Sequence, residues 1–153
     1  MSIKNNRRRY FTGLSFLAVC GAMIYSCQSS QELEYAKYMS NGKDLYRARC
    51  QNCHGEKGEG LGELAPPLTD TVFLKTYKDR IACIIKEGSH EEMRIHNKIY
   101  HERMPSFPDL APIDIAQLTV YITNSFGNRQ GMYTYEQVMS DLTKCKSLPD
   151  RRP

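Results

Sequence analysis

The chain has 153 residues and a formal charge of +4 at neutral pH, which leaves room for one domain with additions. Four of its 21 basic residues, Lys4, Arg7, Arg8 and Arg9, crowd the first nine positions, and beyond residue 27 there remain 17 basic against 17 acidic side chains. A near-neutral body has no basic stripe to offer, so no nucleic acid is expected among the partners.

Met1 to Arg9 reads as a basic leader, followed from Tyr10 to Tyr25 by a run broken only by Thr12, Gly13, Ser15 and Gly21. Sixteen residues fall short of the ~20 that a spanning helix needs, so an export signal is preferred to an uncleaved membrane anchor. The run closes on MIYSC, which resembles a bacterial lipobox with Ile24, Ser26 and Cys27; Cys20, behind Val19, fits less well. Residues 1–27 are therefore expected to be a signal, with Cys27 lipidated and holding the mature protein at a membrane through its acyl chains. Localisation is then outside the cytoplasm, in the periplasm or on the outer membrane.

Residues 28–39 are polar and suit a tether with at most a helical turn. Ser40 or Asn41 is placed to cap a helix through Leu45 and Arg49, with Gly42 and Tyr46 on the adjoining stripe. Glycine and proline dominate from Gly55 to Pro67, so that stretch is a loop. DTVFLKTYKDRIACIIKEG reads as a short turn and then a helix, with Ile81, Ile84 and Ile85 on one face and Gly88 as its stop. A long loop with three prolines follows. The strongest helix signal is PIDIAQLTVYITNSFGN, with Asp114 near its start, Leu118, Tyr121 and Ile122 facing in, and Gly127 ending it. A last helix opens on the capping box Thr134-x-x-Gln137 and buries Val138 and Leu142. With no alternating pattern and no repeat, the fold class is all-α with long loops: a domain over 40–128 and a helical extension over 129–153. An exported chain of fewer than 130 residues with such loops has a thin core, and small domains of that kind usually need a staple or a cofactor.

The stretch ARCQNCHGEKGEG supplies the chemistry. Cys50, Cys53 and His54 could hold zinc, but a closed zinc site wants four ligands, and no second pair accompanies this one. An iron–sulfur cluster fails for the same reason. A redox dithiol belongs after a strand in a βαβ setting, which an all-α chain lacks. Cys-x-x-Cys-His fits covalent haem c, with two thiols for the two vinyl groups and an imidazole for the iron. Export and the missing core both agree with that cofactor. For a second axial ligand Met104 leads, because the residue before Pro105 is driven out of the helical region onto a loop where its sulfur can face a metal. Met93, Met132, His90, His96 and His101 are its rivals.

From about Gly42 to Asn128 the chain resembles class I single-haem cytochromes c, on Gly42-x-x-x-Tyr46, CQNCHGEKGEG, APPLTD, NKIYHERMPSF and LTVYITNSFGN. That resemblance implies a cytochrome c fold wrapped around one haem c, with Cys50 and Cys53 as the covalent attachments and His54 and Met104 as proximal and distal ligands. It implies that Gly42 and Tyr46 pack the first helix across Leu118 and Tyr121, and that Pro66 or Pro67 accepts a bond from the other nitrogen of His54. With no tryptophan in the chain, Tyr100 and Arg94 are the expected propionate partners. The implied role is a membrane-tethered electron carrier working between redox proteins. A haem subunit docked to a dehydrogenase or oxidase, and a five-coordinate peroxidase or gas sensor lacking the Met104 bond, are the alternatives.

Cysteine arithmetic adds one expectation. Of six cysteines one lies in the signal, one is the lipid candidate and two are at the haem motif. Cys83 and Cys145 remain, in a compartment where thiols oxidise, and a disulfide between them is expected to pin the C-terminal helix to the domain. The alternative is two separate thiols, Cys83 buried and Cys145 exposed.

Overall fold

A computed structural model describes residues 30–89, 92–95 and 98–145. The leader, Cys20 and Cys27 lie outside the described residues, as do His90, His96 and the tail beyond Cys145. Contacts divide the chain into two units, Met1–Ala36 and Lys37–Pro153. In the first, residues 30–36 are helical; the second holds every other element. Among the described residues no helix is long and apolar enough to cross a membrane.

In the second unit residues 37–49 are helical and form α1. Neither Ser40 nor Asn41 caps it, because both lie inside the helix. Tyr38 gives the earlier turn its reason: it is buried one turn before Gly42, and Tyr46 is buried one turn after. These three positions, spaced by four, make a single stripe. The polar stretch read as a tether thus already contributes a core residue.

The centre of the domain is α5, Pro112–Asn124, with Ile115, Ala116, Leu118, Thr119, Val120, Ile122 and Thr123 all buried. A helix buried on so much of its circumference is a core helix, and its sequence shows only a weak amphipathic stripe. Pro112 starts it where a missing N–H costs nothing, and the Asp114 carboxylate accepts from the Ala111 N–H at 3.0 Å. Helical structure ends at Asn124, three residues before the expected stop at Gly127. The Asn124 side chain holds the exit, donating to Val120 and Gly131 carbonyls and accepting from the Gln130 and Gly131 N–H groups.

α1 crosses α5 at Gly42, where an added Cβ would lie 2.7 Å from the Cβ of Tyr121 and closer still to the Gln117 carbonyl. Tyr46 continues the contact, its ring 5.4 Å from that of Tyr121 and 5.2 Å from that of Phe126. The partners are therefore Gln117, Tyr121 and Phe126, and Leu118 lies in the core beneath.

After α2, Gln51–His54, the segment expected to be a turn is a helix, α3, Thr71–Thr76. Asp70 caps it, accepting from the Phe73 N–H at 3.0 Å. A 3-10 turn, Lys78–Arg80, leads into α4, Ile81–Glu87. The loop beyond contains a hairpin: β1, Met93–Ile95, pairs antiparallel with β2, Lys98–Tyr100, placing Met93 opposite Tyr100 and Arg94 opposite Ile99. Three residues per strand are too few for a period-two pattern to register in the sequence. With so little strand the fold is all-α.

The last helix, α6, Tyr135–Lys144, has both halves of its capping box, Gln137 N–H to Thr134 Oγ1 and Thr134 N–H to Gln137 Oε1. It packs on α4 and α5 through the fully buried Val138, but the second buried position is Asp141 and Leu142 is only half-buried. Asp141 is tolerated there because the Tyr133 hydroxyl donates to its carboxylate, and a buried acceptor with a partner avoids the desolvation penalty. Burial and that bond push the Tyr133 hydroxyl well above the ordinary tyrosine range. A disulfide joins Cys83 of α4 to Cys145 at the end of α6.

Candidate functional site

Cys50 closes α1, its N–H bonded to the Tyr46 carbonyl at 2.8 Å, and α2 carries Cys53 and His54 on the next turn. Cys50 is buried and Cys53 exposed. Before any covalent attachment, burial, and then the neighbouring Cys53, push the Cys50 thiol up to about 11.

His54 is buried, with Nδ1 3.0 Å from the Pro66 carbonyl. A carbonyl only accepts, so Nδ1 carries the proton and Nε2 keeps its lone pair. Burial lowers the affinity of the ring for a second proton, and the bond to Pro66 opposes that only in part. Of the two prolines named from sequence it is Pro66 that fixes the ring. The loop is folded for this purpose: the Gly60 N–H reaches the His54 carbonyl, Leu61 pairs with Ala65, and the Leu68 N–H returns to Gly58. Tyr46 adds a bond from its hydroxyl to the Gly55 carbonyl at 2.6 Å.

Met104 arrives from the other end of the domain. Its N–H and carbonyl both pair with Ser89, each at 3.1 Å, which holds it in the extended geometry expected before Pro105. Gly88 makes this approach possible. Its φ is +79°, a region costly for other residues, and an added Cβ would sit 2.5 Å from the Met104 carbonyl oxygen.

Cys50, Cys53, His54 and Met104 all line one cleft, whose empty space is about 1140 Å³ counting the part open to solvent. Its walls are mostly apolar, with Ile81, Ile84 and Ile85 of α4 among them, joined by Met93, Ile95 and Tyr100 of the hairpin.

The remaining sequence-derived residues divide. Tyr100 is buried in the cleft wall. Arg94 is not part of it: strand side chains alternate, so with Met93 and Ile95 turned inward Arg94 is exposed on the opposite face. The cationic side chains that do line the cleft are Arg49 and Arg103, neither of which the sequence singled out for this role. Arg49 Nη2 also meets Asp109 at 2.7 Å, an exposed ion pair worth about 0–1 kcal/mol. Among the rivals to Met104, His101 is exposed and paired with Glu92 at 2.9 Å, and Met132 does not reach the cleft. Met93 does.

The residues present fit haem c: two thiols spaced for two vinyl groups, one imidazole nitrogen left free, and apolar walls to bury a macrocycle. The family model described as cytochrome c oxidase, cbb3-type, subunit III matches residues 38–122, more than half of the chain. The chain belongs to this family. No curated protein matches it. As a cytochrome c domain of the cbb3-type subunit III family it binds haem c covalently, transfers electrons and works with redox protein partners. The match begins at Tyr38, the first buried position of α1.

Proposed function

We propose that the protein is a lipid-anchored, single-electron carrier at the outer face of the cytoplasmic membrane or on the outer membrane, with thioether bonds at Cys50 and Cys53 and axial ligands His54 and Met104. The observation that carries this reading is the convergence of those four side chains on one apolar cleft, with His54 Nδ1 committed to Pro66. When bound, haem c supplies a one-electron ferric/ferrous couple. The residues do the rest. Pro66 holds the imidazole in one tautomer and orientation. The thioether of Met104 would favour the reduced state and raise the potential, and with His54 and Met104 both holding the iron no position would be left for a substrate. The isoleucines of α4 and the hairpin keep water from the site. Cys27, as the lipidated residue, keeps the domain at the membrane, and residues 129–145 brace it through the Cys83–Cys145 bridge.

The ligand assignment is tested with Met104→Ala and Met93→Ala in the haem-loaded protein. Met104→Ala is expected to abolish the far-red sulfur-to-iron band of the oxidised form, lower the reduction potential and admit carbon monoxide to the reduced form. Those changes in Met93→Ala, with Met104→Ala unaffected, would transfer the role to Met93. Absence of the band in the unmutated protein would favour the five-coordinate alternative.

A second reading draws on the family description, which names an oxidase subunit: the protein is a haem subunit docked permanently to an oxidase. Purification of the membrane-bound protein in mild detergent separates the two, a fixed-stoichiometry complex supporting the subunit and a single polypeptide supporting the carrier.

A further inference from the structure

The segment that follows Met104 has few means of holding itself in place. Pro105 and Pro108 have no N–H to donate, and the Ala111 N–H is taken by Asp114. Besides a turn bond from the Leu110 N–H to the Phe107 carbonyl at 3.2 Å and the exposed Arg49–Asp109 pair, what fixes it is the end of α4. The Phe107 N–H reaches the Ile85 carbonyl at 3.3 Å, and Ser89 pairs with Met104 itself. Between them Lys86 extends its ammonium group to two carbonyls of the segment, Pro108 and Leu110, at 2.8 Å each. An ammonium near a helix C-terminus would ordinarily serve the helix's own carbonyls; this one is turned across to the neighbouring loop. Leu110, whose carbonyl it binds, is buried.

We propose that Lys86 is a positioning residue for the distal methionine. Its two charge-assisted hydrogen bonds clamp residues 104–110 to α4, so that the sulfur of Met104 is presented to the iron by a loop that cannot easily swing away. α4 is a suitable base for such a clamp: it lines the cleft through Ile81, Ile84 and Ile85 and is itself fastened to α6 by the disulfide. The inference rests on Met104 being the distal ligand, and the measurements keep the two claims apart.

The test uses the haem-loaded full chain in the oxidised state, titrated with imidazole, which competes with Met104 for the iron. Lys86→Met removes the donors at similar length, Lys86→Gln keeps a neutral donor on a shorter arm, and Lys86→Arg keeps two charged donors. Imidazole should bind about tenfold more tightly to Lys86→Met, since one charge-assisted bond is of the size a tenfold change represents. The far-red band should weaken, Lys86→Gln should fall between, and Lys86→Arg should return to the unmutated values. If Lys86→Met does not accumulate with haem, Lys86→Gln against Lys86→Arg decides the matter. A lower thermal midpoint with unchanged imidazole affinity and an unchanged band would mean a merely structural lysine and overturns the proposal. Failure of the ligand reading is separate: it would show as a band missing from the unmutated protein or surviving in Met104→Ala.

Discussion

The Cys83–Cys145 bridge stabilises the fold mainly by restricting the unfolded chain. Its ends are 62 positions apart, and the chain-entropy relation gives a loop of that length about 4 kcal/mol of stabilisation through the unfolded state. Real unfolded chains keep some structure, so the measured value should fall to about 2–4 kcal/mol. The contacts of α6 do not vanish with the bridge: Val138 is still buried and Tyr133 still donates to Asp141. The double variant Cys83→Ser/Cys145→Ser should therefore fold and retain haem, because its covalent attachment belongs to other cysteines. Urea unfolding followed by far-ultraviolet circular dichroism is the assay, and the midpoint should fall by roughly 1–2 M at the slope usual for small proteins. Thiol titration of the denatured, unreduced protein comes first. Two reactive thiols there, or a midpoint within about 0.3 M of the unmutated protein, would refute the reasoning and leave the helix held by its side-chain contacts alone.

Other consequences can be tested beside it. Mass spectrometry of the mature protein should show one haem added, retained through acid–acetone extraction; an unmodified polypeptide mass would contradict attachment at Cys50 and Cys53. Gly42→Ala should destabilise: the new Cβ meets the Tyr121 Cβ and the Gln117 backbone, an overlap costing about 1–3 kcal/mol that outweighs the ~1 kcal/mol gained in helix propensity. Denaturant midpoints measure this, and a stabilised variant would show that the helices can separate at little cost. Cys27→Ser should release the protein from the membrane fraction or block its processing, whereas an unchanged fraction would point to an uncleaved anchor.

Local chemistry was legible where a few adjacent positions suffice. The Thr134–Gln137 capping box needs four residues, and both its bonds are present. Asp141 and Arg94 are the counterexamples. Asp141 is a charged residue buried in α6, where the Tyr133 hydroxyl, eight residues away, donates to its carboxylate and the Lys144 ammonium lies 3.8 Å from it. Arg94, expected at a propionate, is turned outward by a hairpin too short to be seen in sequence. Arg49 and Arg103 reached the cleft without any local signal, although Arg103 stands beside Met104.

By itself, the sequence determined the all-α class, the family resemblance and the cofactor, because Cys-x-x-Cys-His joins three reactive groups within one helical turn and needs no long-range information. It also placed Met104 before a proline, and so on extended backbone. Which proline holds His54, which glycine lets the distal segment approach, and which lysine clamps that segment were decided only by the tertiary structure. Pro66, Gly88 and Lys86 act through backbone carbonyls brought close from elsewhere in the chain. A carbonyl is the same at every position in a sequence, so nothing but folding can single one out.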